Sequence, residues 1–317
     1  MPVDWNSIDS VILVDVDGVL NVGVKEPGEP PLLFNETNVA CAKKHFGNEA
    51  SASKNDAGVV RLVEVMTRPL AHGNGDGATY EDLVAGPASS LSDVLVRNLA
   101  EIIESAGKKC AVILSSTWRK PQHAARVRTL EVSVSKHLGR TFTFDGRTQL
   151  TEERGARDRL KTLANYLKAA QTKRSDSSPK LRVLVLDDFC ITPCSSWTCM
   201  DQPIESAGDV EEFLARSTGG SMLVKLLHTY EAWTGKGGLA LEVGCGLQQL
   251  HIDEAKEFFD PAAGTFKIPR DGCRSPVSSL PDVVKSYSVK DPMMKIAGLC
   301  RFLRAGQAAT AQPQSCP

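Results

Sequence analysis

"SVILVDVDGVLN", residues 10–21, drives an apolar strand straight into two aspartates and a glycine. Ser10–Val14 is rich in β-branched residues and carries no charge, as parallel strands covered on both faces do. Asp15 and Asp17 follow at a spacing of two, which puts both side chains on one side of an extended segment. Two carboxylates held that close repel each other, so the pattern asks for a cation beside them. A calcium loop of the EF-hand kind is the competing explanation of "DVDG", and it fails on spacing. Glu26 stands at the twelfth loop position, but Val19 and Leu20 occupy places that need a ligand and a glycine.

Two further apolar runs end in polar groups. "CAVILSS", residues 110–116, stops at Ser115 and Ser116, and "LRVLVLDD", residues 181–188, stops at Asp187 and Asp188. Between the first two runs, Val94, Leu95, Leu99, Ile102, Ile103 and Ala106 recur at helical spacing, with Ser92 as N-cap and Gly107 as stop. A weaker strand candidate, "TFTF" at 141–144, precedes a helix from about Thr151 to Ala170. "GGLALEV", residues 237–243, and the helical "HIDEAKEFF", residues 251–259, are expected to complete the sheet. Strands alternating with helices predict an α/β fold, a parallel sheet with helices on both faces.

In such a sheet the carboxyl ends of the strands share one edge, and ligands bind outside it. One acidic residue after a strand is usually a turn former or a helix cap. Three strand ends in one chain are harder to dismiss. Asp15, Asp17, Asp187 and Asp188 would bring hard oxygen donors together, and such donors suit Mg²⁺.

This domain is expected to occupy residues 1–259, with residues 22–90 as an irregular insert after the first strand, placed where a cap could sit. "KEPGEPP" and "AHGNGDGATYED" are its loop signals, and "DAGVVRLVEVM", residues 56–66, reads as a short helix. Residues 260–317 hold seven of the 17 prolines and read as a partly disordered tail, with one short helix around "PMMKIAGLCRFL".

A net charge of -1 leaves no global footprint for wrapping a polyanion. No apolar run is long enough to span a bilayer, so no membrane partner is expected. "MPVDWNSID" has neither the basic start nor the apolar core of a signal peptide. Nine cysteines without a CxxC pair read as free thiols, and the expected location is cytoplasmic.

The order of motifs resembles the haloacid dehalogenase (HAD) superfamily of phosphohydrolases. "VILVDVDG" matches its first motif, an apolar strand followed by DxD. "AVILSS" matches the second, a strand ending in Ser or Thr, and "VLVLDD" the fourth, a strand ending in acidic residues. The third is a Lys or Arg near the start of the helix before the fourth, and within "RGARDRLKTLANYL" the spacing of Arg159 to Leu163 and Tyr166 resembles family members best. Arg154, Arg157 and Lys161 are its competitors. "ILSSTWR" and "GLQQLHIDEA" resemble a subgroup that includes HAD domains associated with RNA-repair enzymes.

The resemblance implies a Rossmann-like, HAD-like sheet and a Mg²⁺-dependent phosphatase acting through an aspartyl-phosphate. Asp15 would be the nucleophile and Asp17 the general acid and base. Ser115, Ser116 and Arg159 would hold phosphate oxygens. Asp15, the Asp17 carbonyl and Asp187 or Asp188 would hold the metal. The substrate expected is a phosphorylated small molecule; RNA or DNA ends are an alternative, favoured only if Arg119, Lys120, Arg126 and Arg128 form a basic strip. A noncatalytic scaffold is another alternative, but both acidic residues of the first motif are retained.

Other features carry less. Arg119 either reaches substrate or is a surface arginine stacked on Trp118. Cys190, Cys194 and Cys199 lack the paired spacing of a metal knuckle. "GCGLQQ", residues 244–249, falls short of a full glycine-rich nucleotide loop, and "TKRSDSSPK" reads as a solvated loop.

Overall fold

A computed structural model of the chain describes residues 3–26, 29–47, 57–86, 90–175, 178–191, 197–235, 238 and 240–260. The chain opens with strands β1 (Ser10–Val14), β2 (Gly23–Glu26) and β3 (Glu29–Leu33), then helices α1 (Glu36–Gly47), α2 (Ala57–Met66) and α3 (Asp93–Ser105). Next come β4 (Cys110–Leu114), α4 (Ala124–Leu138), β5 (Gly146–Arg147), α5 (Ala156–Gln171) and β6 (Leu181–Asp187). The chain continues with β7 (Trp197–Cys199), β8 (Gln202–Ile204), α6 (Ala207–Ser217), β9 (Met222–His228), β10 (Tyr230–Thr234), β11 (Ala240–Gly244) and α7 (Gln249–Phe259).

The fold is α/β. A parallel sheet runs in the order β5-β4-β1-β6-β9. Side chains alternate across it, as a period of two requires. Ile12, Val14, Val112, Leu114, Leu184 and Leu186 pack with apolar residues of α3, α4 and α7 on one face. Val11, Leu13, Ala111, Ile113, Val183 and Val185 pack with those of α5 and α6 on the other. Each Val, Leu or Ile side chain among them, fully buried, contributes about 1.5–3 kcal/mol. The chain leaves β1 for β4 and β5 on one side, then returns to β6 and β9 on the other. The order therefore reverses at β1, and the carboxyl ends of the strands at such a reversal are where open α/β sheets bind ligands.

Several sequence expectations are corrected. "GGLALEV" yields β11, but in a second, antiparallel sheet of order β10-β11-β2-β3, and β9 takes the fifth place in the parallel sheet. "TFTF" forms no strand. Ser135 Oγ accepts the Phe142 N–H at 2.9 Å and Glu131 Oε1 accepts the Phe144 N–H at 3.2 Å, so α4 removes the donors a ladder would need. Their rings instead pair edge to face, 5.3 Å apart, against the core. The helix expected from Thr151 starts at Ala156.

The stretch after β1 is not irregular either. Val22, Val24, Leu32, Phe34, Leu62, Val65, Tyr80, Leu241 and Val243 share a third hydrophobic cluster, which draws β2, β3, α1, α2 and β11 together with Leu95 of α3. Two hydrogen bonds, Gly246 N–H to Gly18 carbonyl and Leu247 N–H to Val19 carbonyl, both 3.0 Å, fix this second sheet beside the end of β1. The short helix expected in the C-terminal tail lies outside the described residues. No helix among the described residues is long and apolar enough to cross a membrane.

Candidate active site

Asp15 is the first residue past β1. Its N–H continues the ladder by donating to Leu186 carbonyl at 2.9 Å, and its own Oδ1 accepts the Val16 N–H at 2.7 Å. The carboxylate thus stands on a backbone tied to β6, which limits its freedom. Asp187 closes β6 and Asp188 follows it. One carboxylate oxygen from each of Asp15, Asp187 and Asp188 lies within 4.8 Å of the others. Ser115, the first residue past β4, joins the same edge through its N–H to Val14 carbonyl, 2.8 Å.

Arg159 ties these groups together. Its Nε and Nη2 donate to Asp187 Oδ2 at 2.9 and 2.7 Å, Nη2 also donates to Ser115 Oγ at 2.8 Å, and Asp15 Oδ2 lies 3.5 Å away. The register of α5 explains this: Leu160, Leu163 and Leu167 are buried in the core, and Arg159, one step before, reaches the strand ends. Arg154 and Lys161, paired with Glu152 and Asp158, and Arg157 are exposed and do not reach the site.

The second cation was not legible in the sequence. Lys25 of β2 sets its Nζ 2.5 Å from Asp188 Oδ2 and 3.1 Å from the Asp188 carbonyl. Two glycines make room. A side chain on Gly18 (φ +81°) would collide with Asp188, and one on Gly244 would overlap Gly18 and meet Asp188 Oδ2 at 2.9 Å. Three carboxylates therefore face two cations, leaving the cluster one positive charge short.

The electrostatics follow from burial. Burial pushes Asp187 up to about 7; Arg159 opposes the shift, and the charges of Asp15 and Asp188 add to it. Asp188 rises to about 6, again through burial, with Lys25 opposing. Burial alone would lower Lys25, but the Asp188 carboxylate outweighs it and holds the ammonium more firmly charged. Oxygen donors short of positive charge, on rigid strand ends, fit a hard divalent cation such as Mg²⁺.

Asp17 stands apart from this cluster. Asn21 Nδ2 donates to its Oδ1 and Trp118 Nε1 to its Oδ2, both at 3.1 Å. Asn21 is fixed in turn by the Ser90 carbonyl, 2.9 Å, and by the Gly18 N–H, 2.8 Å. Burial raises the Asp17 carboxyl above its ordinary range, the Asn21 hydrogen bond lowers it, and the Asp15 charge raises it further. A carboxyl whose proton is held more tightly than usual is suited to handing that proton to a reacting group.

Ser116 turns its hydroxyl to its own backbone, accepting the Trp118 N–H at 3.3 Å. Arg119 is buried: its Nη1 donates to the carbonyls of Ser115 (3.1 Å) and Ser116 (2.7 Å), and Nη2 pairs closely with Glu153. The reading of Arg119 as a surface arginine stacked on Trp118 does not hold, since Arg119 is buried and a cation over that ring is Arg126, at 5.7 Å. Its burial also interrupts the basic strip, of which Lys120, Arg126 and Arg128 remain exposed. Glu153 lies between the two buried arginines, with Arg159 Nη1 3.8 Å from its Oε2.

Cys190 donates to Tyr230 Oη (3.5 Å) and Cys199 is buried in β7, while Cys194 lies outside the described residues. No family model, curated protein or solved structure matches the chain. What the chain does must therefore be argued from a hydroxyl, a buried guanidinium and three carboxylates at the end of one parallel sheet.

Proposed function

We propose that the chain is a Mg²⁺-dependent phosphomonoester hydrolase of the HAD type. The observation that carries this reading is the convergence of Asp15, Ser115, Arg159, Asp187 and Asp188 at the carboxyl edge, where the strand order reverses. A nucleophile, phosphate-binding donors and a site for a divalent cation are thereby in reach of one phosphoryl group. Asp15, Asp187 and Asp188 would hold Mg²⁺, which when bound offsets charge on the phosphoryl oxygens.

The chain's own residues supply the rest. The Asp15 carboxylate attacks phosphorus in line, the phosphorus–oxygen bond of the ester breaks, and Asp17 protonates the departing oxygen. Water then attacks the aspartyl-phosphate; Asp17 takes its proton, the phosphorus–oxygen bond to Asp15 breaks, and inorganic phosphate leaves. Arg159 and the Ser115 hydroxyl hold phosphoryl oxygens as charge develops. Asn21 and Trp118 position Asp17 between its two proton transfers.

The test separates the two aspartates. Asp15→Asn should abolish turnover on every substrate and form no phosphoenzyme in a rapid quench. Asp17→Asn should lose roughly 10²–10⁴-fold on an alkyl phosphate and much less on p-nitrophenyl phosphate, whose leaving group needs no proton. Its phosphoenzyme should accumulate, because water has lost its base. Equal losses on both substrates with no trapped phosphoenzyme would instead favour direct attack by water.

A further inference from the structure

"GCGLQQ" plays no part in the chemistry above, yet it shapes a second cluster of donors. Cys245 follows β11, Glu231 lies on β10, and His72 sits in the loop after α2. One nitrogen, one oxygen and one sulfur from these residues lie within 4.8 Å of one another. Cys245 is fully buried, while the His72 side chain keeps 24% of its surface, so the cluster opens on the histidine side.

Two observations point to a ligand. Tyr80 Oη donates to Glu231 Oε2 at 2.9 Å and fixes the carboxylate, while the buried Oε1 faces His72 and Cys245 and receives no well-directed N–H or O–H hydrogen bond. His72 Nε2 is 3.0 Å from that oxygen, off the hydrogen-bonding direction. A cation bound between the three side chains would give that oxygen a directed partner.

The second observation is Gln248, itself buried. Its Oε1 accepts the His72 N–H at 2.8 Å, and its Nε2 donates to the Cys245 carbonyl at 3.0 Å and to Tyr80 Oη at 3.4 Å. One amide thus braces the backbone of two donors and the hydroxyl that orients the third. Metal sites carry outer shells of this kind. A thiol nucleophile is the other use of these residue types, but it needs a thiol open to substrate.

We propose that His72, Glu231 and Cys245 bind one Zn²⁺ ion, leaving a fourth position open on the side of His72. Mixed nitrogen, oxygen and sulfur donors suit a borderline-soft cation, whereas Mg²⁺ takes oxygen alone. The ion would clip the His72 loop to the antiparallel sheet, whose Gly244 packs against Gly18 and Asp188. This site uses none of the residues of the phosphatase reading and stands or falls separately.

Cobalt reports sulfur ligation directly. The full chain, stripped with chelator, should take up one equivalent of Co²⁺ with a thiolate-to-cobalt charge-transfer band, and Zn²⁺ should bleach it. Cys245→Ser should lose the band, while Cys190→Ser and Asp15→Asn should keep it. His72→Ala, at a partly exposed side chain, should weaken Co²⁺ binding by at least about 10-fold with an unchanged circular-dichroism spectrum, and Gln248→Ala by about 10–100-fold. No thiolate band in the wild type, a band that survives Cys245→Ser, or its loss in Asp15→Asn would overturn the proposal. If Cys245→Ser does not fold, His72→Ala decides: unchanged Co²⁺ affinity overturns it.

Discussion

Asp187 and Asp188 are neighbours in sequence, yet their counter-ions come from different architectures. Asp187 receives two hydrogen bonds from Arg159, a planar fork locked on α5 that reaches Ser115 as well. Asp188 receives the ammonium of Lys25, which arrives from the antiparallel sheet and keeps 23% of its side-chain surface exposed. A guanidinium holds carboxylates by direction as well as charge, whereas an ammonium is a flexible point charge. Arg159 is therefore part of the frame of the parallel sheet. Lys25 is a clasp brought to Asp188 by the second sheet.

The comparison predicts its largest effect at Arg159. Arg159→Ala leaves Asp187 and Asp15 without their guanidinium, and breaking a buried pair costs about 3–5 kcal/mol. Turnover should fall by about 10²–10³-fold from the loss of one charged donor to the phosphoryl group. Arg159→Lys should recover charge but not the fork, and land between the two in both denaturant midpoint and turnover. Full activity in Arg159→Lys would mean the fork is dispensable, and the contrast with Lys25 would collapse.

The same contrast explains what was legible in the sequence. β1, β4 and β6 have a neighbour on each side and helices on both faces, so their residues read as continuous apolar runs, and their polar ends stand out. The strand β9 lies at the sheet's edge; it carries Lys225 and a Leu223 that is 45% exposed, so it shows no such run. The strand β3 contains Pro30 and Pro31, which an edge strand tolerates but a sequence reader takes for a loop. Lys25, in β2, opens the same loop-like "KEPGEPP" run, and nothing local to it indicates a partner 163 positions away. Arg159 was legible through its helix register. Arg119 was misread because a charged residue after a strand reads as surface, whereas the carbonyls of Ser115 and Ser116 and the Glu153 carboxylate offset its burial.

Lys25→Met should have a smaller effect. Losing a hydrogen bond between charged groups costs about 1.5–3 kcal/mol, at most, with Asp188 still able to take a proton. Freed from its ammonium, Asp188 should bind Mg²⁺ several-fold more tightly in calorimetric titration, while turnover falls less than in Arg159→Ala. Unchanged or weaker Mg²⁺ binding would mean that Lys25 supports the cation site rather than competing for it.

The smallest effect is in pH, and it needs a difference measurement. Asp187 and Asp188 have ordinary values of 3.8 and are raised to about 7 and about 6 by burial. Between those limits the folded chain binds protons that the unfolded chain has released, so stability falls as pH rises. The contribution is complete below the ordinary value and gone above about 7. His228 and His251 work the other way: burial lowers them to about 4 and about 3, so the unfolded chain takes up protons first and acid destabilises the fold. Comparing wild type with Asp188→Asn cancels the histidines. The wild type should lose melting temperature relative to the variant from about pH 4 to about pH 6, the span between the ordinary and the raised value of Asp188, and added Mg²⁺ should restore it because a cation holds the ionised form. In the Lys25→Met background the decline should extend to higher pH, since the ammonium is what opposes the upward shift of Asp188. A flat difference in both backgrounds would mean that Asp188 is ionised throughout without help from Lys25, and the clasp would then be a surface contact of no electrostatic weight.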